Sequence, residues 1–298
     1  MFGKILVANR GEIALRVMRT CRSMGIATVA VFSESDSETR HVAAADEAVN
    51  IGASLPKESY LNQDNILEAA RSTGADAIHP GYGFLAENSE FAARCNIAGV
   101  KFIGPSPNSI AKMGDKVQAR RLMVDAGVPL VPGSDGLSVN EFEDVANEAR
   151  SVGYPVLIKA AAGGGGIGMF RVETEDKLHK GLEQAQRRAQ HAFGDATLYI
   201  EKAIDNPRHI EVQLLGDEHG NLVHLFEREC SVQRRHQKVV EESLSPSIDS
   251  DTRQKIYDAA LKAGHSVNYD SAGTVEFIVD QENNYYFLEM NTRIQVEH

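Results

Sequence analysis

Cysteine is scarce in this chain. Cys21, Cys95 and Cys230 are three in 298 residues, odd in number and far apart, which gives no support to a disulfide framework or a metal knuckle. They read as reduced, mostly buried thiols of a cytoplasmic protein. Positive charge is not in excess either: 31 Lys and Arg against 42 Asp and Glu leave a formal net charge of −11. Nucleic acid is therefore not an expected partner, because phosphate backbones are bound by clustered cations. Long apolar runs are missing, so no membrane span is expected, and Ile5 to Ala8 is too short for a signal-peptide core. What remains is 42% hydrophobic and 24% charged, the composition of a soluble globular protein, at a length that suits about two domains.

Two nucleotide-binding signatures are absent as well. Lys4 to Ala8 is a short apolar run followed by Asn9-Arg10-Gly11 and by Ile13, Ala14, Val17, Met18 and Cys21 at helical spacing, a strand, turn and helix. Strands are predicted again at Ala27 to Phe32, Ala48 to Ile51, Ala77 to His79 and Val100 to Ile103, with helical patterns around Ile66 to Arg71 and Phe91 to Ile97. This alternation predicts an α/β fold, a doubly wound parallel sheet with helices on both faces. The first turn offers only Gly11, however, where a dinucleotide fingerprint needs three spaced glycines. After the predicted strand at Ala77, HPGYGFLAEN (His79 to Asn88) is either a ligand-facing loop or a turn leading into a helix capped near Asn88 or Ser89.

Further along, Lys116 precedes a helical stretch that Gly127 and Pro129 end, and Val128 to Gly133 reads as a linker. Tyr154 to Lys159 makes a strand ending in a lysine, followed by Gly163-Gly164-Gly165-Gly166-Ile167-Gly168. The order is wrong for a Walker loop, because the lysine comes first and Met169 to Val172 resumes as a strand. Four consecutive glycines suit a flap whose bare amides fold over phosphates. A helix is expected from about Glu175 to His191, then a strand at Leu198 to Ile204 whose edge offers backbone groups to a base while Glu201 accepts from an exocyclic amine. His209 to Leu215 alternates, putting His209, Glu211 and Gln213 on one face, read in isolation as the wet side of a sheet. Glu229 to Lys238 (ECSVQRRHQK) is the densest basic cluster of an acidic chain and reads as an anion-binding loop.

The chemistry concentrates in Thr274 to Glu297, TVEFIVDQENNYYFLEMNTRIQVE. Thr274 to Asp280 and Tyr285 to Asn291 read as strands around a polar turn. If Asp280 and Tyr285 close that turn, Glu276 lies opposite Glu289, and Asn291 shares their face. Opposed carboxylates repel unless a cation sits between them, and an oxygen-only set suits Mg²⁺ or Mn²⁺. Arg293, Gln295, Glu297 and His298 follow at once, where a small anion can be held and a proton removed.

Taken together, KILVANRGEIA (Lys4 to Ala14), HPGYGFLAEN, YPVLIKAAAGGGGIGM (Tyr154 to Met169), RHIEVQ (Arg208 to Gln213), ECSVQRRHQK and FLEMNTRIQVEH (Phe287 to His298) resemble, in order, the motifs of the biotin carboxylase family of ATP-grasp ligases. The resemblance implies a pre-ATP-grasp domain at residues 1–114, a linker helix and connection at 115–133, a glycine-rich lid subdomain at 134–203 and an ATP-grasp α+β catalytic subdomain at 204–298. It implies that Lys116, Lys159, Gly164, Gly165, Gly166, Glu201, Lys202, Ile204, His209, Gln233 and His236 bind ATP. Glu276, Glu289 and Asn291 would hold Mg²⁺ or Mn²⁺. Lys238, Arg293, Gln295 and the Val296 amide would hold bicarbonate, with Glu297 as the base. The activity so implied is ATP-dependent carboxylation of biotin on a carrier protein or domain, through carboxyphosphate, alongside a carboxyltransferase component and in a homodimer when complete.

Two departures stand out. Ile167 and Phe170 take positions where many members of the family carry basic residues. The chain also ends at His298, short of the rest of the family's carboxylation domain and of an arginine used at the biotin site, so residues 1–298 alone are expected to turn over weakly or not at all. Two alternatives stay open: another ATP-grasp ligase that makes an acyl phosphate from a different carboxylate, and a non-catalytic nucleotide-binding module.

Overall fold

Short aliphatic runs alternate with amphipathic helices to build the first unit. β1 (Lys4–Val7), β2 (Ala27–Phe32), β3 (Glu47–Asn50), β4 (Ala77–His79) and β5 (Lys101–Phe102) form a parallel sheet in the order β3-β2-β1-β4-β5, in a computed structural model that describes residues 1–134, 142–161, 169–235 and 237–298. The period of two along β1 sends Ile5 and Val7 to one core and Leu6 to another. α1 (Gly11–Ser23) supplies Ile13, Val17 and Met18 to the first core. Between α1 and the next unit, α2 (Arg40–Ala44) is a short crossover, whereas α3 (Gln63–Thr73) and α4 (Ser89–Ile97) bring Ile66 and Phe91 to the second core. The expected two-sided α/β layer is therefore present. Asn88 does cap α4, its side chain accepting from the Phe91 amide at 2.7 Å. Ahead of it the His79–Asn88 loop is pinned under β1, because Asn9 Nδ2 donates to both Pro80 O (2.7 Å) and Tyr82 O (2.8 Å). Gly81 between them has φ +64°, and a Cβ there would stand 2.9 Å from Asn9 Nδ2 and Ile13 Cγ1.

α5 (Pro107–Gly114) and α6 (Lys116–Asp125) lead to a small antiparallel sheet. This is made of β6 (Val156–Ala160), β7 (Phe170–Val172) and β8 (Leu198–Lys202) in the order β7-β6-β8. α7 (Phe142–Val152) and α8 (Leu178–Phe193) cover it, packing Val145, Ala149 and Leu182 on Ile158 and Ile200. The segment before it ties two sheets together: the Phe287 amide donates to Pro129 O (2.8 Å) and the Ser134 amide to Ile200 O (2.8 Å).

The third sheet is antiparallel, in the order β11-β10-β9-β12-β13, from β9 (Arg208–Gly216), β10 (Leu222–Arg234), β11 (Gln237–Glu242), β12 (Ser271–Val279) and β13 (Tyr285–Asn291). Ile210, Val212, Leu214, Val275 and Phe277 on one face pack against Ile256, Ala260 and Ala263 of α9 (Ser250–Ser266) and Met123 of α6. Three expectations are corrected here. The basic ECSVQRRHQK segment is no loop: β10 runs through to Arg234 and β11 restarts at Gln237, with Arg235 at φ +53° in the turn. His209, Glu211 and Gln213 share a face as expected, but it is not a wet one, since Glu211 is fully buried and Gln213 nearly so. Finally, the last hairpin closes with Val279, not Asp280, opposite Tyr285, and an irregularity beyond Glu276 restores the expected pairing of Glu276 with Glu289.

Among the described residues no helix is long and apolar enough to cross a membrane, and the three cysteines are free and buried.

Away from the hairpin, buried Glu227 accepts from Arg253 Nε (2.8 Å), the Ser245 amide (3.0 Å) and the Tyr257 hydroxyl. Burial alone would raise its pKa, but these donors outweigh that and hold the carboxyl below its ordinary range. A depressed folded pKa contributes stability that is present above the unfolded value and lost as pH falls through the folded one. We expect Glu227→Gln to lose about 2–4 kcal/mol at pH 7 in urea unfolding, and the gap to the unsubstituted protein to narrow below pH 4.5. An equal gap at pH 7 and pH 4 would remove the ionised network as its cause.

Candidate active site

The site lies on the polar face of the third sheet, where strand register lines up charge. Arg228 pairs with Glu211, Glu211 with Glu276, and Glu276 with Glu289, so one row crosses β10, β9, β12 and β13 with three consecutive carboxylates. Three like charges side by side destabilise a sheet unless cations face them. Lys238, from β11, meets the first two: its ammonium contacts Glu211 Oε2, lies 3.0 Å from Glu276 Oε1 and reaches Glu297 Oε1 at 3.5 Å. Burial opposes the charge on Lys238, yet Glu276 and Glu211 outweigh it and hold the ammonium above the usual lysine range.

His209 faces the same carboxylate. Gln233 Nε2, which also donates to Cys230 O (2.8 Å), lies 2.7 Å from His209 Nδ1. An amide nitrogen only donates, so Nδ1 accepts and the ring proton sits on Nε2. Nε2 stands 2.9 Å from Glu276 Oε2 without the alignment of a hydrogen bond, a buried donor with no hydrogen-bond partner among the described residues. Burial would raise Glu276, but His209 and Lys238 overcome that and keep its pKa depressed. Glu289 goes the other way: desolvation and the neighbouring Glu276 raise it, and Lys116 Nζ at 3.6 Å offsets this only in part.

That asymmetry tests the fit of a metal. His209, Glu211 and Glu276 bring ligand atoms within 4.8 Å of one another, but the Lys238 ammonium already serves Glu211 and Glu276. Of the opposed pair Glu276 and Glu289, the under-compensated member is Glu289. Asn291 stands beside the pair, Nδ2 donating to Glu276 Oε1 (2.8 Å) and Oδ1 accepting from Arg293 Nη2 (3.0 Å). Two carboxylates and an amide oxygen suit a hard divalent cation, and the residues present fit Mg²⁺ or Mn²⁺.

Beyond the hairpin, Arg293 is aimed from two sides. Its Nε donates to Glu87 Oε2 (2.9 Å), and Glu87 Oε1 accepts the Thr292 amide (3.2 Å), so the His79–Asn88 loop clasps the end of β13. Gln295 is buried, its Nε2 3.5 Å from Glu276 Oε1. Val296 exposes its side chain, and Glu297 turns back to Lys238. Burial pushes the Glu297 carboxyl up, but a backbone amide and the Lys238 charge hold it net below its ordinary range.

On the lid side, Lys116 is the first residue of α6, after the cap Asp115, whose side chain accepts the Gln118 amide (2.9 Å). A lysine at the positive end of a helix is electrostatically uphill and suits an incoming anion. One turn on, Arg120 Nη1 contacts Glu201 Oε1 at 2.5 Å, and Lys159 contacts the other oxygen. Glu201 is thus buried between two cations and not open at the strand edge as expected. Lys202 is not brought into this group: its Nζ donates to Gly153 O (2.8 Å) and Tyr154 O (2.9 Å). Ile204 follows β8, partly buried. Gly164, Gly165, Gly166, Ile167 and His236 lie outside the described residues. Phe170 does not face open solvent alone, since the Arg188 guanidinium lies 4.6 Å from its ring centroid.

Sequence reading missed Arg120 and Arg228. Arg120 had a usable signal, sitting one helical turn after Lys116. Arg228 had none, standing between Glu227 and Glu229 in a strand of mixed polarity.

Residues 1–110 match the family model "Biotin carboxylase, N-terminal domain", and residues 115–298 match "Carbamoyl-phosphate synthase L chain, ATP binding domain". The chain is 58% identical over its full length to Biotin carboxylase 2 of Bacillus subtilis, covering 67% of that protein. It is 54% identical to the mitochondrial propionyl-CoA carboxylase alpha chain of Sus scrofa, covering 40% of it. Among solved structures, a biotin carboxylase–β-γ-ATP complex from Campylobacter jejuni superposes at TM-score 0.96 with 50% identity, over all of this chain and 67% of that one. The biotin carboxylase domain dimer of Hydrogenobacter thermophilus 2-oxoglutarate carboxylase, in complex with MgADP, ADP and bicarbonate, gives 0.95 with 51% identity, over all of this chain and 65% of that one. The chain spans about two thirds of the length of the curated biotin carboxylases it matches.

Proposed function

The chain belongs to the biotin carboxylase family, and from that premise we propose that it carries out the first half-reaction of a biotin-dependent carboxylase, the ATP-dependent carboxylation of biotin by bicarbonate. The observation that carries this reading is the convergence of Lys238 and Gln295 on Glu276, with Glu297 reaching Lys238 and Glu289 paired opposite Glu276, which sets a base and anion-binding donors beside a cation-demanding carboxylate site.

In this reading Lys116, Lys159 and the amides of Gly164, Gly165 and Gly166 hold the phosphates of ATP, and Glu201 to Ile204, His209, Gln233 and His236 complete the nucleotide site. Glu276, Glu289 and Asn291 would hold Mg²⁺ or Mn²⁺, which when bound supplies positive charge against the phosphate oxygens. Bicarbonate sits between Lys238, Arg293, Gln295 and the Val296 amide, donors that gather one anion beside another. Glu297, kept ionised, takes its proton. The resulting dianion attacks the γ-phosphorus, ADP leaves, and carboxyphosphate forms. Carboxyphosphate breaks to CO₂ and phosphate; the phosphate takes the ureido proton of biotin, and the biotin nitrogen attacks CO₂.

The wider assignments are proposals of the same kind. They comprise the four-part division at residues 114, 133 and 203, a cytoplasmic location, biotin presented on a carrier protein or domain, a carboxyltransferase component and a homodimer. The relative named as the alpha chain of a carboxylase and the dimeric solved domain support the last three.

The test is ADP release by the full-length protein with Mg²⁺, without and with bicarbonate, then with free biotin. We expect cleavage that requires bicarbonate and rises with biotin. Cleavage indifferent to both would overturn the reading in favour of an ATP-grasp ligase for another carboxylate, and nucleotide binding without cleavage would favour a regulatory module.

A further inference from the structure

We infer that Arg228 is the positioning residue that sets the polarity of the bicarbonate site, by turning the Gln295 amide so that its NH₂ group, and not its carbonyl, faces the anion. This rests on the reading of Gln295 as a bicarbonate ligand.

Arg228 spends its fork on four side chains. Nε donates to Glu211 Oε1 at 2.5 Å, Nη1 to Gln213 Oε1 at 3.0 Å, and Nη2 to Thr274 Oγ1 at 3.4 Å and to Gln295 Oε1 at 3.1 Å. A guanidinium has donors and no acceptor, so the end of an amide that faces it must be the oxygen. For Gln213 the consequence is structural: its Nε2 is turned to Gly273 O (2.9 Å) and Leu214 O (3.2 Å), which saturates it and braces the guanidinium in place. For Gln295 the consequence is chemical. Its Nε2 is turned to the other side, 3.5 Å from Glu276 Oε1, the oxygen that Lys238 Nζ approaches at 3.0 Å.

The reversed amide is excluded on both sides at once. It would set an NH₂ group against a cation and a carbonyl oxygen against a carboxylate, inside a site where Gln295 is only 7% exposed. Glu211 holds the device in place, because it is fully buried and takes Arg228 on one oxygen and Lys238 on the other. The same carboxylate therefore orients the ammonium that meets bicarbonate directly and the guanidinium that meets it through Gln295.

The experiment uses the full-length enzyme. Arg228→Lys keeps a cation for Glu211 but has no planar fork to span Glu211, Gln213 and Gln295. We expect the bicarbonate KM to rise about tenfold or more, the ATP KM to stay within about twofold, and the circular-dichroism melting curve to change little. Gln295→Ala should raise the bicarbonate KM in the unsubstituted background and add nothing in the Arg228→Lys background. An unchanged bicarbonate KM in Arg228→Lys, equal losses for ATP and bicarbonate, or additive effects of the two substitutions would each overturn the inference. If Arg228→Lys does not fold, the unsubstituted enzyme still decides: bicarbonate should shift the ¹⁵N side-chain NH₂ resonance of Gln295, and no shift would overturn the inference. Loss of bicarbonate dependence in the unsubstituted enzyme would sink the underlying reading as well; bicarbonate dependence retained with Arg228→Lys silent would sink only the role of Arg228.

Discussion

Glu276→Ala is expected to abolish metal-dependent ATP cleavage, lowering kcat/KM by about a thousandfold or more, since metal coordination of this kind is worth several kcal/mol. The residue stands at the centre of the row from Glu211 to Glu289 and accepts from Asn291 while facing His209 and Lys238. Its loss removes one arm of the metal site and takes from the Lys238 ammonium and the Asn291 amide the acceptor oxygen they share. It also relieves repulsion on Glu289, so the fold is expected to survive: two opposing changes of about 1–3 kcal/mol leave a small net effect on unfolding. Glu289→Ala should lose activity to a similar extent with a smaller effect on stability, because its side chain is a third exposed and its ion pair with Lys116 is 3.6 Å long. Steady-state rates against Mg²⁺ and Mn²⁺ concentration, beside urea unfolding, check both. Ordinary metal dependence with ordinary kcat in either variant would sink the metal assignment.

Glu297→Gln should reduce bicarbonate-dependent ATP cleavage by about 10²–10⁴-fold, the range for loss of a general base. The substitution keeps shape and hydrogen bonding but cannot take a proton. A base works above its pKa, and Glu297 is held below the ordinary carboxylate range by its backbone amide and Lys238 in spite of burial. It is therefore ionised throughout pH 6–9, and the ratio of the two rates should be constant across that window. A variant within threefold of the unsubstituted enzyme, or a ratio that collapses toward one as pH falls from 8 to 6, would count against Glu297 as the base.

Several features of the site were legible in the chain itself because their physics is local. The period of two in strands put Glu276 opposite Glu289 with Asn291 beside them from a turn closure one residue off, and the pairing holds because the irregularity beyond Glu276 offsets that slip. The first sheet was legible for a similar reason, since short aliphatic strands alternating with amphipathic helices have few other ways to bury both faces. Asn88 as a helix cap rests on contacts three residues apart.

Other features depend on what folds over what. The His209–Gln213 face has the alternation of any half-wet strand, and nothing within those residues distinguishes a solvated face from one covered by Lys238, Arg228 and Gln295. Glu201 looked like an open acceptor on an edge strand until α6 brought Arg120 to it across 81 positions. Composition and periodicity thus determined the α/β class, the final hairpin and its opposed carboxylates, because those follow from backbone geometry over a few residues. Tertiary structure alone decided which carboxylates are neutralised, by which cations, and which way the Gln295 amide points, because charge compensation is a property of side chains that meet only when distant strands and helices are packed together.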